Sequence, residues 1–135
     1  MMINVVFVFV GGACGSVARY LLSLFVTNAT QAGAVFPYGT LSVNLTGAFL
    51  AGLLWGIGSE TIVKPEMRLL IMTGFLGGFT TFSAFSAETY ALFNDGEWKA
   101  GVVNMLANNI GSIILVAAGI VAAKYLFNFF RGGVS

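Results

Sequence analysis

The stretch "GGFTTFSAFSAE", Gly77 to Glu88, decides how this chain is read. It lies inside an apolar run long enough to cross a bilayer, yet it holds two adjacent glycines, four hydroxyls (Thr80, Thr81, Ser83, Ser86), three phenylalanines and a carboxylate. Glycine pays a high backbone entropy in a helix, and threonine or serine hydroxyls can stand in for backbone partners where a helix opens. The run therefore predicts a third membrane helix broken near its middle. Irregular backbone at that depth survives only when buried in protein or beside an aqueous path, and the carbonyls it frees suit a hard cation such as sodium. A continuous helix with a glycine-rich packing face is the alternative reading of the same residues.

The surrounding composition fixes the class. Of the 135 residues, 58% are hydrophobic and only 8% charged, too few charges to solvate a soluble surface. The net charge of +1 offers no field for nucleic acid, so function must come from groups placed inside the bilayer. One cysteine, Cys14, and no histidine exclude a disulfide framework and the usual zinc or haem ligand sets. Four spans of about 20 residues are predicted, near residues 4–27, 38–58, 67–93 and 98–127, in one all-α transmembrane domain covering 1–135. The first reads as a retained span, since no basic leader precedes it.

Charge counting gives a weak orientation. Lys64, Arg68, Lys124 and Arg131 fall on one side, Lys99 and a snorkelling Arg19 on the other. So slight a bias permits insertion either way up, and hence an antiparallel homodimer, as well as ordinary single-orientation insertion. Four helices enclose little beyond their own side chains, so oligomerisation is expected. Glycine pairs at four-residue spacing (Gly11 and Gly15, Gly52 and Gly56, Gly74 and Gly78) predict close helix contacts.

Polar residues at bilayer depth are costly unless paired or wetted. Thr40 and Asn44 stand one turn apart in the second span, and Asn104, Asn108 and Ser112 recur every four residues in the fourth. They make either interhelical hydrogen-bond glue or a track for a small hydrated solute. Phe82 and Phe85 would share one helical face and Ser83 and Ser86 the next. Ring edges are electropositive, so such phenylalanines can stabilise an anion without a formal charge; packing or lipid contact is the plainer role.

Three motifs then carry a resemblance. "GxxxRY" ending at Tyr20, "GTLSVNLTGAFLAG" over Gly39–Gly52 and "MTGFLGGFTTFSAFSAE" over Met72–Glu88 resemble the Fluc (CrcB) family of small fluoride channels along essentially the whole chain. The resemblance implies an antiparallel, dual-topology homodimer in the bacterial inner membrane, with pores at the subunit interface and passive, electrogenic export of fluoride that protects against its toxicity. It implies a structural Na+ held by the backbone carbonyls of Gly77 and Thr80 from both subunits, fluoride contacts from Phe82 and Phe85, an amide donor at Asn44, a vestibule arginine at Arg19, and a polar track through Thr40, Asn108 and Ser112. Asn104 and Asn108 depart from the tyrosine and serine of some relatives. Neutral donors suit the task, because a buried cationic side chain would trap the ion. Glu88 belongs to the third motif and is assigned a structural or vestibule role. A proton-coupled small multidrug-type exporter, using Glu88, and a structural membrane subunit are the competing functions. No nucleophile and base can be assembled into an enzyme.

Overall fold

The computed structural model describes residues 2–30, 35–60 and 64–132. Parts of two predicted connections, 31–34 and 61–63, and the side chain of Arg131 used in the charge count lie outside the described residues. Among the described residues, four helices are long and apolar enough to cross a membrane: Met2–Ala29, Tyr38–Gly58, Pro65–Asn94 and Trp98–Phe129. The fold is thus all-helical and polytopic.

Helix α1 is Met2–Ala29 and α2 is Tyr38–Glu60. The third span starts at α3, Pro65–Arg68, where a proline in the first turn loses no helical hydrogen bond. It continues as a π-helical segment, Leu69–Leu76, and a short α4, Gly77–Phe79. Helix α5, Phe82–Asn94, completes it. Between α4 and α5, Thr80 (φ −79°, ψ 157°) and Thr81 (φ −148°, ψ 112°) are extended. The glycines that marked this region in the sequence are themselves helical, and the β-branched threonines, which accept extended dihedrals readily, take the departure.

A tight turn leads to the fourth span. Glu97 N–H donates to Leu92 C=O (2.8 Å), Gly96 N–H donates to Phe93 C=O (3.2 Å), and Gly96 takes φ +80°, a left-handed helix stop that only glycine adopts without strain. The fourth span comprises α6, Trp98–Leu106, a second π-helical segment, Ala107–Gly111, and α7, Ser112–Gly132.

Packing follows the small residues. Gly11 and Gly15 of α1 lie against the backbone of Leu70, Gly74 and Phe75, and Gly78 lies against Gly12. Gly52 and Gly56 of α2 face Val116, Ile120 and Ala123 of α7, while Gly119 answers from α7 against Phe49 and Leu53. All three glycine pairs named from the sequence are therefore spent on seams within the chain, where they let backbones approach without a side chain between them. A methyl at Gly52 would collide with the Val116 carbonyl. Gly52→Val should overpack this seam and cost about 1–3 kcal/mol, seen as earlier loss of monodisperse protein on heating in detergent; unchanged thermal behaviour would show that α2 and α7 can move apart freely.

Candidate functional site

The extended pair on the third span is braced from α2. Asn44 Oδ1 accepts from Thr81 N–H (2.9 Å), and Asn44 Nδ2 donates to Thr81 C=O (3.1 Å). One side-chain amide thus serves both backbone polar groups of the extended Thr81. Thr81 also caps α5, its hydroxyl accepting from Ala84 N–H (3.3 Å). These two substitutions have a common consequence. In a continuous helix Thr81 N–H would bond Gly77 C=O, and Ala84 N–H would bond Thr80 C=O. Both donors are diverted to side chains, so the carbonyls of Gly77 and Thr80 lose their helical partners. Gly77 is exposed on this face, and a side chain added there would meet nothing within 4 Å.

Asn44 also reaches the fourth span. Its second N–H donates to Asn108 Oδ1 (2.9 Å), in the second π segment. Asn108 Nδ2 donates to Asn104 Oδ1 (2.9 Å) and to Asn104 C=O (3.1 Å). Asn104 Nδ2 donates to Thr89 Oγ1 (2.9 Å), and the Thr89 hydroxyl donates to Phe85 C=O (2.7 Å). Asn104 is 1% exposed and Asn108 6%, so these amides are enclosed within the chain. Both π segments lie on the spans that carry this polar network, and such segments are frequent at functional sites.

Phe82 and Phe85 make an edge-type pair, ring centroids 5.4 Å apart and planes at 60°. Phe85 is 6% exposed and Phe82 75%. The pair lines one groove of about 580 Å³ together with Asn44, Gly77, Thr80, Asn108 and Ser112. Of the residues singled out from the sequence, the fold therefore brings seven to a single open-sided groove. Thr40, Arg19 and Glu88 line a second cavity, of about 760 Å³, on the other side of Thr81. There the Thr40 hydroxyl donates to Glu88 Oε1 (2.6 Å), and Glu88 Oε2 is enclosed with no hydrogen-bond partner among the described residues. Thr81 lines both spaces.

Thr89 was not singled out by sequence reasoning. Its signal was the four-residue spacing from Phe85, which places its hydroxyl over the Phe85 carbonyl, and this is also the commonest way a threonine satisfies itself in any apolar helix. The link between Asn44 and Asn108, 64 residues apart, has no local signature.

Four membrane-length helices and a groove walled by paired phenyl rings and uncharged amides and hydroxyls define a small polytopic membrane protein whose site lies at bilayer depth. The chain belongs to the CrcB family: residues 6–120 match the family described as CrcB-like protein, Camphor Resistance (CrcB). It is similar to proteins named fluoride-specific ion channel FluC. That of Legionella pneumophila (strain Lens) is 44% identical over 118 residues, 87% of each chain. That of Geotalea daltonii is 43% identical over 124 residues, 91% of this chain and 98% of the relative, and that of Shewanella frigidimarina is 43% identical over 118 residues, 87% and 94%.

Proposed function

We propose that this chain forms a fluoride-selective ion channel, carrying fluoride passively and electrogenically out of the cytoplasm. Membership of the family and the names of its relatives support this. The observation that carries it in the chain itself is the Phe82–Phe85 edge pair set on a groove with amides and hydroxyls and no charged side chain. Fluoride is compact and strongly hydrated, so a pore must replace its water with close neutral donors and electropositive ring edges while leaving the ion free to depart. Arg19, in the neighbouring cavity, raises the local anion concentration.

The groove is open on one side, with Phe82 and Gly77 exposed, which supports a homodimer in which a second copy closes the pore. The weak charge bias supports an antiparallel pair of dual topology in the bacterial inner membrane, surrounded by lipid. Thr80 and Thr81 act as a break in the third helix, and the freed carbonyls of Gly77 and Thr80 fit a sodium ion shared between subunits. Carbonyl oxygens are suitable ligands for this hard cation, which supplies fixed positive charge at the interface.

Purified protein in liposomes, loaded with potassium fluoride or potassium chloride and given a potassium ionophore, tests the reading. Fluoride should leave rapidly and chloride should not; equal leakage of both, or dependence of fluoride movement on a proton gradient, would overturn it in favour of a nonselective or exporter function. No flux above protein-free liposomes would point to a structural subunit.

A further inference from the structure

The amide network has a direction. From Asn44 through Asn108, Asn104 and Thr89 to the Phe85 carbonyl, every N–H or O–H donates toward Phe85. Asn44 consequently presents no spare N–H to the groove: one hydrogen is on Thr81 C=O and the other is capped by Asn108 Oδ1. Asn108 likewise has both hydrogens turned inward onto Asn104. In this arrangement neither Asn44 nor Asn108 can hold an anion; Asn109, which also lines the groove, donates to Met105 C=O of its own helix.

A carboxamide carries a donor and an acceptor on opposite arms of one plane, so end-for-end rotation exchanges them. We infer that Asn104 is a positioning residue that decides which arm of the Asn108 amide faces the ion, by turning over together with it. This rests on the fluoride-channel reading. If Asn108 turns alone, its Oδ1 is driven against Asn104 Oδ1 and the Asn104 carbonyl, a repulsive contact in a site excluded from water. If Asn104 turns too, its Nδ2 donates to Asn108 Oδ1 and offsets the backbone-carbonyl contact that remains, and the Thr89 hydroxyl swings from Phe85 C=O to Asn104 Oδ1. Asn108 Nδ2 and Asn44 Nδ2 then both point at the gap between them, and a small anion accepts from both. Three bonds are given up, Asn44 to Asn108 Oδ1, Asn108 to Asn104 C=O and Thr89 to Phe85 C=O, and two N–H bonds to the ion, both strengthened by its charge, replace them. An anion too large to accept both at short range leaves the ladder in its capped state, which makes the reversal a selectivity device.

Asn104→Leu tests this with little disturbance of volume, because Thr89 keeps its own bond to Phe85 C=O. The variant removes the donor that the turned Asn108 needs, while leaving the Asn104 backbone carbonyl to hold Asn108 in the capped state. Fluoride efflux should fall about 10-fold, equivalent to one 1.4 kcal/mol step in barrier, in protein that still elutes as one folded species, melting earlier than wild type because one Asn108 N–H loses its acceptor. The same substitution made in the N108S background should change efflux less than about twofold relative to N108S alone, because a hydroxyl rotates without a partner. Equal losses in both backgrounds would reduce Asn104 to a structural part and overturn the inference. Side-chain amide NMR of isotope-labelled protein gives a second reading that does not depend on flux: fluoride, not chloride, should shift the Asn104 amide, although Asn104 touches no ion. An Asn104 resonance that stays fixed while that of Asn44 moves would also overturn it. Wild-type liposomes that pass no fluoride would instead remove the channel reading on which the inference stands.

Discussion

Phe85→Ile is expected to lower fluoride efflux about 30-fold while leaving the chain folded. Phe85 is 6% exposed, wedged beside the Phe82 ring at 60°, with its backbone carbonyl tied to Thr89. Isoleucine keeps most of the apolar contact but has no ring, and therefore no electropositive edge. A cation over a ring face in desolvated surroundings gains about 2 kcal/mol, and an anion at the oppositely signed edge draws on the same quadrupole; losing a similar amount at the barrier slows passage about 30-fold. Phe82→Ile should follow the same direction. The two positions differ in one respect: Phe82 is 75% exposed in the single chain, so its effect depends on the second copy proposed to close the groove. Liposome efflux assays with each variant, beside thermal melting, separate pore chemistry from folding. Wild-type flux in a well-folded Phe85→Ile variant would remove the aromatic role and leave the amides to account for selectivity alone.

How far this site could be read from residues alone depended on distance along the chain. Relations within one helix were open to inspection: Asn104, Asn108 and Ser112 repeat every four residues, and Phe82 and Phe85 sit three apart. Composition and run length were enough for the four membrane-length helices. Relations between helices were closed. The glycine pairs announced close packing without naming the partner, and the seams they form, α1 against the first half of the third span and α2 against α7, depend on tertiary geometry. The π segments were also invisible, since Leu69–Leu76 is mostly apolar like its neighbours and the asparagines of Ala107–Gly111 continue the spacing of Asn104 in α6 without marking a change of pitch. Within "GGFTT", glycine content drew attention to Gly77 and Gly78, but Gly78 serves a contact with Gly12 and keeps helical dihedrals. Thr81 can be extended because Asn44, a residue of another helix, supplies what its neighbours give up, while Thr80 keeps its own N–H on Leu76 C=O. A propensity scale that reads one segment at a time has no access to that partner.

Asn44→Leu should accordingly be the most damaging single change to stability. Leucine has similar volume but can neither accept from Thr81 N–H nor donate to Thr81 C=O, so both backbone groups are stranded at a depth where water is scarce. Each unsatisfied group costs about 1–3 kcal/mol, and Asn108 Oδ1 loses its donor as well; the total is about 4 kcal/mol. That loss exceeds the ~0.6 kcal/mol of an average interhelical hydrogen bond in membranes, because the leftover partners are main-chain groups whose helical route is already diverted. Two escapes are open to the chain. Thr81 could return to the helix and restore its bond to Gly77 C=O, or the segment could loosen until water reaches it. Asn44→Asp distinguishes the role of each arm: as the neutral acid it still accepts from Thr81 N–H and has a single O–H to give to either Thr81 C=O or Asn108 but not both, so it should retain more stability than Asn44→Leu and less than wild type. Melting curves in detergent should therefore rank wild type above Asn44→Asp and Asn44→Leu last. If Asn44→Leu melts with wild type, the extended pair holds itself in place, and the second helix contributes to the groove without bracing the third.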